Sequence, residues 1–439
     1  MKKRTIVITA LAAACVLALA GCGKTAKAEQ VGTIGQPQTF KGTITVAVPG
    51  GDYEAYLEQN VLPAFYKEYP NVKIIFNNVA AGVMLDTEVA AGNAPNVLVG
   101  SMGYQPVQFA SMSRLVPLDK YPDFNTLSSQ ISPQFMEKQL GHNYYIPQGM
   151  ITNMLIYNKV LFKEAGLDPN KPPVTYAEYL EDAKKISALP PMADGTKIYG
   201  NGFVNDWLSG GGWVWEMYDQ MYYSMNNGVG LLNPQGTMIV FNQPQAKMLD
   251  FLTFLQQASQ YAPASMSQGF VGRNIGMWTQ FGNGWLQNLK LAKGGPMVVG
   301  QDVGIAPMPV LNAGDTSWSS LNGKAIMEFH TTAAQDAISW EFIKFMMQPQ
   351  YELGLCENQE LIPTMPSVQK NPFFQTAEFK PFVDQMAHGI LPLDVPEADD
   401  IQGIVCNMIS HVVVTKDMTP QQGINDAAAK SIAVFKENQ

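Results

Sequence analysis

Apolar and polar positions alternate along the chain in blocks that change period. Ile44 to Val48 is a short β-rich run, stopped by Gly50-Gly51. Leu57, Val61, Phe65 and Tyr69 then recur at four-residue spacing, which predicts a helix that Pro70 closes. "VKIIF", residues 72–76, predicts a second strand, a helical segment follows over 85–91, and "NVLVGSM" predicts a third strand ending at Gly100-Ser101. This β-α-β order implies a largely parallel sheet covered by helices. Further on, Pro172-Pro173 and the Thr175/Glu178 capping box mark the start of a helix. Asn242 and Thr332 are expected to cap two more, and strand-like runs recur at 237–241, 297–300 and 303–310. Helices and strands alternate to the C-terminus with no internal repeat and no heptad, so the fold class is α/β.

The N-terminus departs from this pattern. Lys2, Lys3 and Arg4 precede a mostly apolar run from Thr5 to Ala20, and "LAGC" ends it at Cys22. A basic segment, a short apolar segment and small residues form an export signal. The run is too short to span a bilayer, which takes about 20 residues. "LAGC" resembles the bacterial lipobox, in which the cysteine thiol is lipidated and becomes the first residue after cleavage. Residues 1–21 are therefore expected to be a lipoprotein signal peptide. Residues 22–41 lack apolar periodicity and are expected to form a flexible tether, on the order of 60 Å at full extension.

Composition narrows the partners. The formal net charge is −9, and removing the leader's three basic residues makes it more negative, which argues against nucleic acid as a partner. Of the four cysteines, Cys15 leaves with the leader and Cys22 takes lipid. Cys356 and Cys406 remain, and two separate buried thiols are expected rather than a disulfide framework. The histidines, His142, His330, His388 and His411, have no metal-ligand spacing. P-loop, HExxH and G-x-S-x-G signatures are lacking, so neither a cofactor nor an enzyme is expected.

Several stretches, taken in order, carry a resemblance: "LPAFYKEYPNVKI", "AAGNAPNVLVG", "RLVPLDKY", "YYIPQGMITNMLIYNKVLFKEAGLDPNKPPVTYAEYLEDAKKI", "FNQPQAKMLDFLTFL", "GRNIGMWTQFGNGW", "VGIAPMPV" and "SWEFIKFMMQPQYE" followed by "LIPT". From about Lys41 onward the chain resembles the extracellular solute-binding proteins of ABC sugar importers, family 1, which includes maltose-binding protein. The resemblance implies a periplasmic-binding-protein-like type II fold: two α/β lobes joined by three inter-lobe crossings. Lobe 1 would comprise 42–150 and 306–361, and lobe 2 would comprise 151–305 and 362–439. Crossings are expected near "IPQGMITN", "GIAPMP" and "LIPT". It further implies a carbohydrate ligand, ABC permease subunits as partners, a monomer, and a lipid anchor on the extracytoplasmic face of the cell membrane.

A sugar has apolar C–H faces and a rim of hydroxyls, so its site needs aromatic platforms edged by planar polar groups. By the resemblance, Trp285 is the stacking tryptophan of lobe 2, while Trp278, in the strand before it, belongs to the core. Arg273 and Asn274 are assigned to the surface. Loops at strand ends supply the other candidates. Asp52 and Tyr53 follow the first strand, with Asp52 alternatively a helix N-terminal charge. Ser101 follows the third strand, and Tyr145 and Gln148 precede the first crossing. Trp213 and Trp215 lie with Trp207 beside a run of three glycines, and Trp318, Asn322 and Gly323 lie in the segment returning to lobe 1. Two alternatives stay open. One is the same fold binding a non-sugar solute such as ferric ion or a polyamine, for which Tyr144-Tyr145 and Tyr222-Tyr223 are the candidates. The other is a secreted glycoside hydrolase with paired carboxylates.

The anchor is directly testable. Cys22→Ser should move the protein from the membrane fraction to the soluble one. A Cys22→Ser form that still sediments with membranes places the anchor elsewhere.

Overall fold

A computed structural model describes residues 39–77, 82–202, 212–264 and 269–437; Cys22, the leader and nearly all of the tether lie outside them, as does Trp207. Among the described residues nine strands form: β1 (Gly42–Ala47), β2 (Val72–Asn77), β3 (Val97–Ser101), β4 (Tyr145–Asn158), β5 (Tyr199–Asn201), β6 (Ile275–Gly282), β7 (Val303–Ala306), β8 (Ser319–Glu328) and β9 (Gly389–Ile390). The first three are the three read from the apolar pattern. They pair in the order β2-β1-β3, parallel throughout.

Beyond β3 the sheet is mixed rather than parallel. β8 runs antiparallel to β3 and to β4, and β4 runs antiparallel to β6 and β7. The reason is that β4 is shared. Its first half, Tyr145 to Thr152, pairs with β8, and its second half, Asn153 to Asn158, pairs with β6 and β7. Two hydrophobic cores flank the change of partner. One gathers Ile44, Val46, Phe65, Val97, Ile326 and Phe342. The other gathers Leu155, Phe162, Tyr179, Trp215, Phe251 and Val405.

Local signals account for most helices. Thr175 and Glu178 form the expected reciprocal capping box on the helix Tyr176–Ser187. The Thr332 hydroxyl accepts from the Gln335 N–H to start Ala333–Met346. The helix after β1 is interrupted: Gly51–Tyr56 widens into a π-turn at Leu57–Val61 before Leu62–Glu68. Pro63 has no N–H to give, so the ladder must loosen just ahead of it. Three expectations fail. Asn242 caps nothing; residues 242–247 turn around Pro244, and the helix starts only at Met248. The run at 237–241 makes one bridge, Leu232 with Ile239, because the Asn233 side chain takes the Thr237 and Met238 N–H groups. The run at 297–300 is likewise a turn, held where the Asp302 carboxylate accepts the Val298 N–H. Cys356 and Cys406 are both free and buried, one in each core.

Where β4 changes partner, Met150 and Thr152 are buried and their backbone groups must bond within the protein. Met150 exchanges two hydrogen bonds with Ile362, at 2.6 and 2.9 Å. Asn283, fully buried after β6, completes the edge. Its Oδ1 accepts the Thr152 N–H at 3.0 Å, and its Nδ2 donates to the carbonyls of Met150 at 3.2 Å and Glu360 at 2.7 Å. Glu360 sits in the left-handed region at φ 52°, and its carboxylate accepts from the Gln287 N–H and from Lys290 Nζ. Gly149 makes the bulge that lets Leu361 approach: at φ +71°, a Cβ there would lie 2.7 Å from Leu361 Cδ1.

Asn283→Ala should therefore leave the Thr152 N–H and Glu360 carbonyl buried without partners, at a cost of about 2–5 kcal/mol. Asn283→Asp, which sets a carboxylate oxygen against two carbonyls, should cost at least as much. Denaturant unfolding reads both. An Asn283→Ala protein as stable as the parent would remove Asn283 from this role.

Candidate functional site

The face of β8 that carries Ser320 and Asn322 is polar because those side chains meet groups from the second core. Ser320 Oγ accepts from Asn153 Nδ2 at 2.9 Å and lies 3.4 Å from Gln220 Oε1. Asn322 Nδ2 donates to Glu216 Oε2 at 2.6 Å, and Asn322 Oδ1 takes the Gly323 N–H. Glu216 belongs to the short 3-10 helix Gly212–Met217, and Asp219 and Gln220 to the next helix, Asp219–Met225. Burial pushes the Glu216 carboxyl up to about 7; the Asn322 hydrogen bond opposes that and Asp399 adds to it. Asp219, more deeply buried, is held well above the usual carboxylate range by burial, with the Glu216 charge contributing.

A second group sits on the first core. The Tyr53 hydroxyl donates to Gln148 Oε1, and both residues are buried. Desolvation raises the Tyr53 phenol well above its ordinary value, so it stays a donor. Ser101, half-buried at the end of β3, gives its N–H to Gln105 Oε1. The neighbouring Met102 N–H reaches the Gly323 carbonyl. Gly323 has no room for a side chain: a Cβ would lie 2.7 Å from the Gly149 carbonyl. Tyr53, Gln148, Ser101, Asn322 and Gly323 thus share one neighbourhood across β3, β8 and β4.

The remaining candidates are placed apart from it. Asp52 is exposed in the first turn of Gly51–Tyr56. Trp285 is 40% exposed just past β6, and its ring meets that of Trp278 edge-on at 5.7 Å and 68°. Trp278 itself is 3% exposed, with its indole N–H given to Gln280. Trp318 is half-buried, packed on Gly228 and against His388. Trp215 is wholly buried against Tyr222 and Phe251. Tyr145 is buried with its hydroxyl toward the Phe135 carbonyl, and Trp213 lies on Gly212–Met217, its side chain outside the described residues. Arg273 ties the backbone carbonyls of Lys293, Gly295 and Pro296. Tyr222 and Tyr223 are core residues. A cavity of about 720 Å³ opens between Glu137, the loop Gly228–Gly236 and the segment Gly389–Val395; of these candidates Tyr223 alone lines it.

Sequence reasoning passed over Glu216, Gln220 and Asn283. A charged residue inside "WVWEMY" was a signal for Glu216. Asn283 stood in view within "FGNGW", but nothing local shows that it bonds to residues more than seventy positions away.

Comparison with known proteins agrees with this architecture. A binding protein of Brucella abortus is 25% identical over 420 residues, covering 90% of this chain and 93% of its own. Among solved structures, an ABC transporter solute-binding protein from Thermotoga lettingae bound with α-D-tagatose is 19% identical with a TM-score of 0.73. It covers 90% of this chain and 100% of its own. UgpB from Mycobacterium tuberculosis in complex with glycerophosphocholine is 13% identical, with a TM-score of 0.74 over 91% of this chain and 99% of its own. These likenesses show the fold of maltose-binding-protein-like periplasmic binding proteins. The family described as bacterial extracellular solute-binding protein matches residues 50–352, and the chain belongs to that family.

Proposed function

We propose that this chain is the capture subunit of an ABC importer. It binds a sugar or polyol between two lobes that close on it, and hands it to permease subunits while tethered as a monomer through Cys22 to the extracytoplasmic face of the membrane. The observation that carries the reading is the shared strand β4, whose first half pairs with β8 and whose second half pairs with β6 and β7. Such a strand lets two cores rock about one line without breaking either. The lobes would be 42–150 with 306–361, and 151–305 with 362–439. The second crossing would lie near residues 304–309, just ahead of Val310, which pairs with Val174 and Tyr176.

Binding would draw on Trp285 as the apolar platform. Asp52, Ser101, Asn322 and the Gly323 backbone would supply polar edges, with Tyr53 and Gln148 held beneath them. Trp213 and Trp318 would line the rim, and Trp215 and Tyr145 would brace the wall from inside the core. Neither a cofactor nor catalysis is part of this reading. The tagatose complex supports a sugar; the glycerophosphocholine complex supports a phosphorylated polyol as a second reading, favoured by the lysine discussed below.

The two tryptophans separate binding from folding. Trp285→Ala should weaken ligand binding by about ten- to a hundredfold, roughly 1–3 kcal/mol, with little loss of stability. Trp278→Ala should lose about 3–5 kcal/mol of stability to the cavity it leaves, yet bind almost normally while folded. Calorimetric titration of the saccharide that binds the parent, with thermal unfolding of each variant, measures both. Full-strength binding by Trp285→Ala with early melting would make it a packing residue.

A further inference from the structure

Residues 320, 322 and 324 of β8 stand on one face of the sheet, since side chains alternate along a strand. The first two are engaged by groups of the second core: Ser320 lies against Gln220, and Asn322 is bonded to Glu216. Lys324 is next in the row, and among the described residues its ammonium has neither an ion-pair partner nor a hydrogen bond. Its cross-strand neighbours are Ser101 on β3 and Gln148 on β4, a hydroxyl and an amide that carry no countercharge. It is only part-exposed, and burial alone lowers its pKa, with no carboxylate acting to raise it. The chain is acidic overall, at −9, and other lysines, such as Lys344 and Lys380, do hold carboxylates. A part-buried ammonium without an anion is costly to maintain.

We propose that Lys324 receives the phosphate of the ligand, so that the captured solute is a phosphorylated polyol or sugar rather than a neutral saccharide. This rests on the capture reading above and names its substrate class. Ser101 and Gln148 lie across the strands from Lys324 on either side and would add hydrogen bonds to phosphate oxygens.

The test titrates the purified chain by calorimetry with glycerol 3-phosphate, glycerophosphocholine and glucose 6-phosphate, and in parallel with glycerol, glucose and maltose. At least one phosphorylated probe should bind at least about tenfold more tightly than its unphosphorylated counterpart, and added salt should weaken it. Lys324→Met should reduce that binding by about ten- to a hundredfold without lowering the melting temperature, since it removes an unpaired charge. Lys324→Arg should retain most of the affinity. Phosphorylated probes that bind no better than neutral ones, or equally well to Lys324→Met, overturn the proposal. Neutral saccharides that alone bind, and lose affinity in Trp285→Ala, leave the capture reading standing and remove only the phosphate. If no probe in either set binds, both fall.

Discussion

The backbone at the junction of the two cores has to find its hydrogen bonds inside the protein, and this requirement shapes everything near it. β4 changes partner between Thr152 and Asn153, so one stretch of its edge faces neither a full strand nor solvent. Ile362 covers Met150, and the Asn283 side chain covers what remains while reaching the Glu360 carbonyl. One amide thereby ties together the first crossing segment, the end of β6 and the approach to the third. Unsatisfied, such groups would each cost about 1–3 kcal/mol, a large fraction of ordinary domain stability.

The same junction explains where polar chemistry collects. Strands that end at a boundary between cores present side chains to the far side, and β8 does so with Ser320 and Asn322. Their partners, Gln220 and Glu216, come from helices packed in the other core. Glu216, lifted by burial to about 7, tolerates this position because Asn322 Nδ2 donates a hydrogen bond to its Oε2. A few contacts of this kind would hold the lobes near one another without welding them, as the proposed closure requires.

Much of this was legible in the chain before any coordinates. The apolar runs of β1, β2 and β3, the Thr175–Glu178 box and the Thr332 cap are local signals, and local signals survive folding. Trp278 and Trp285 separate as strand and turn positions suggest, one 3% exposed and the other 40%. Long-range bonding was not legible. Asn242 has the chemistry of a cap, yet Pro244 turns the chain first. Parallel pairing follows from the first βαβ unit but ends where β8 returns antiparallel. The buried positions of Tyr145 and Trp215 follow from packing that no spacing encodes, and the roles of Asn283 and Glu216 depend on partners distant in sequence.

In the proposed function the two cores close about the β4 junction when solute enters. Small-angle X-ray scattering of the purified chain, without ligand and at saturation with a solute whose binding calorimetry has established, tests it most directly. Closure makes the radius of gyration fall on saturation, as two lobes with a ligand-filled gap become one compact body. An unchanged radius at full saturation would contradict it.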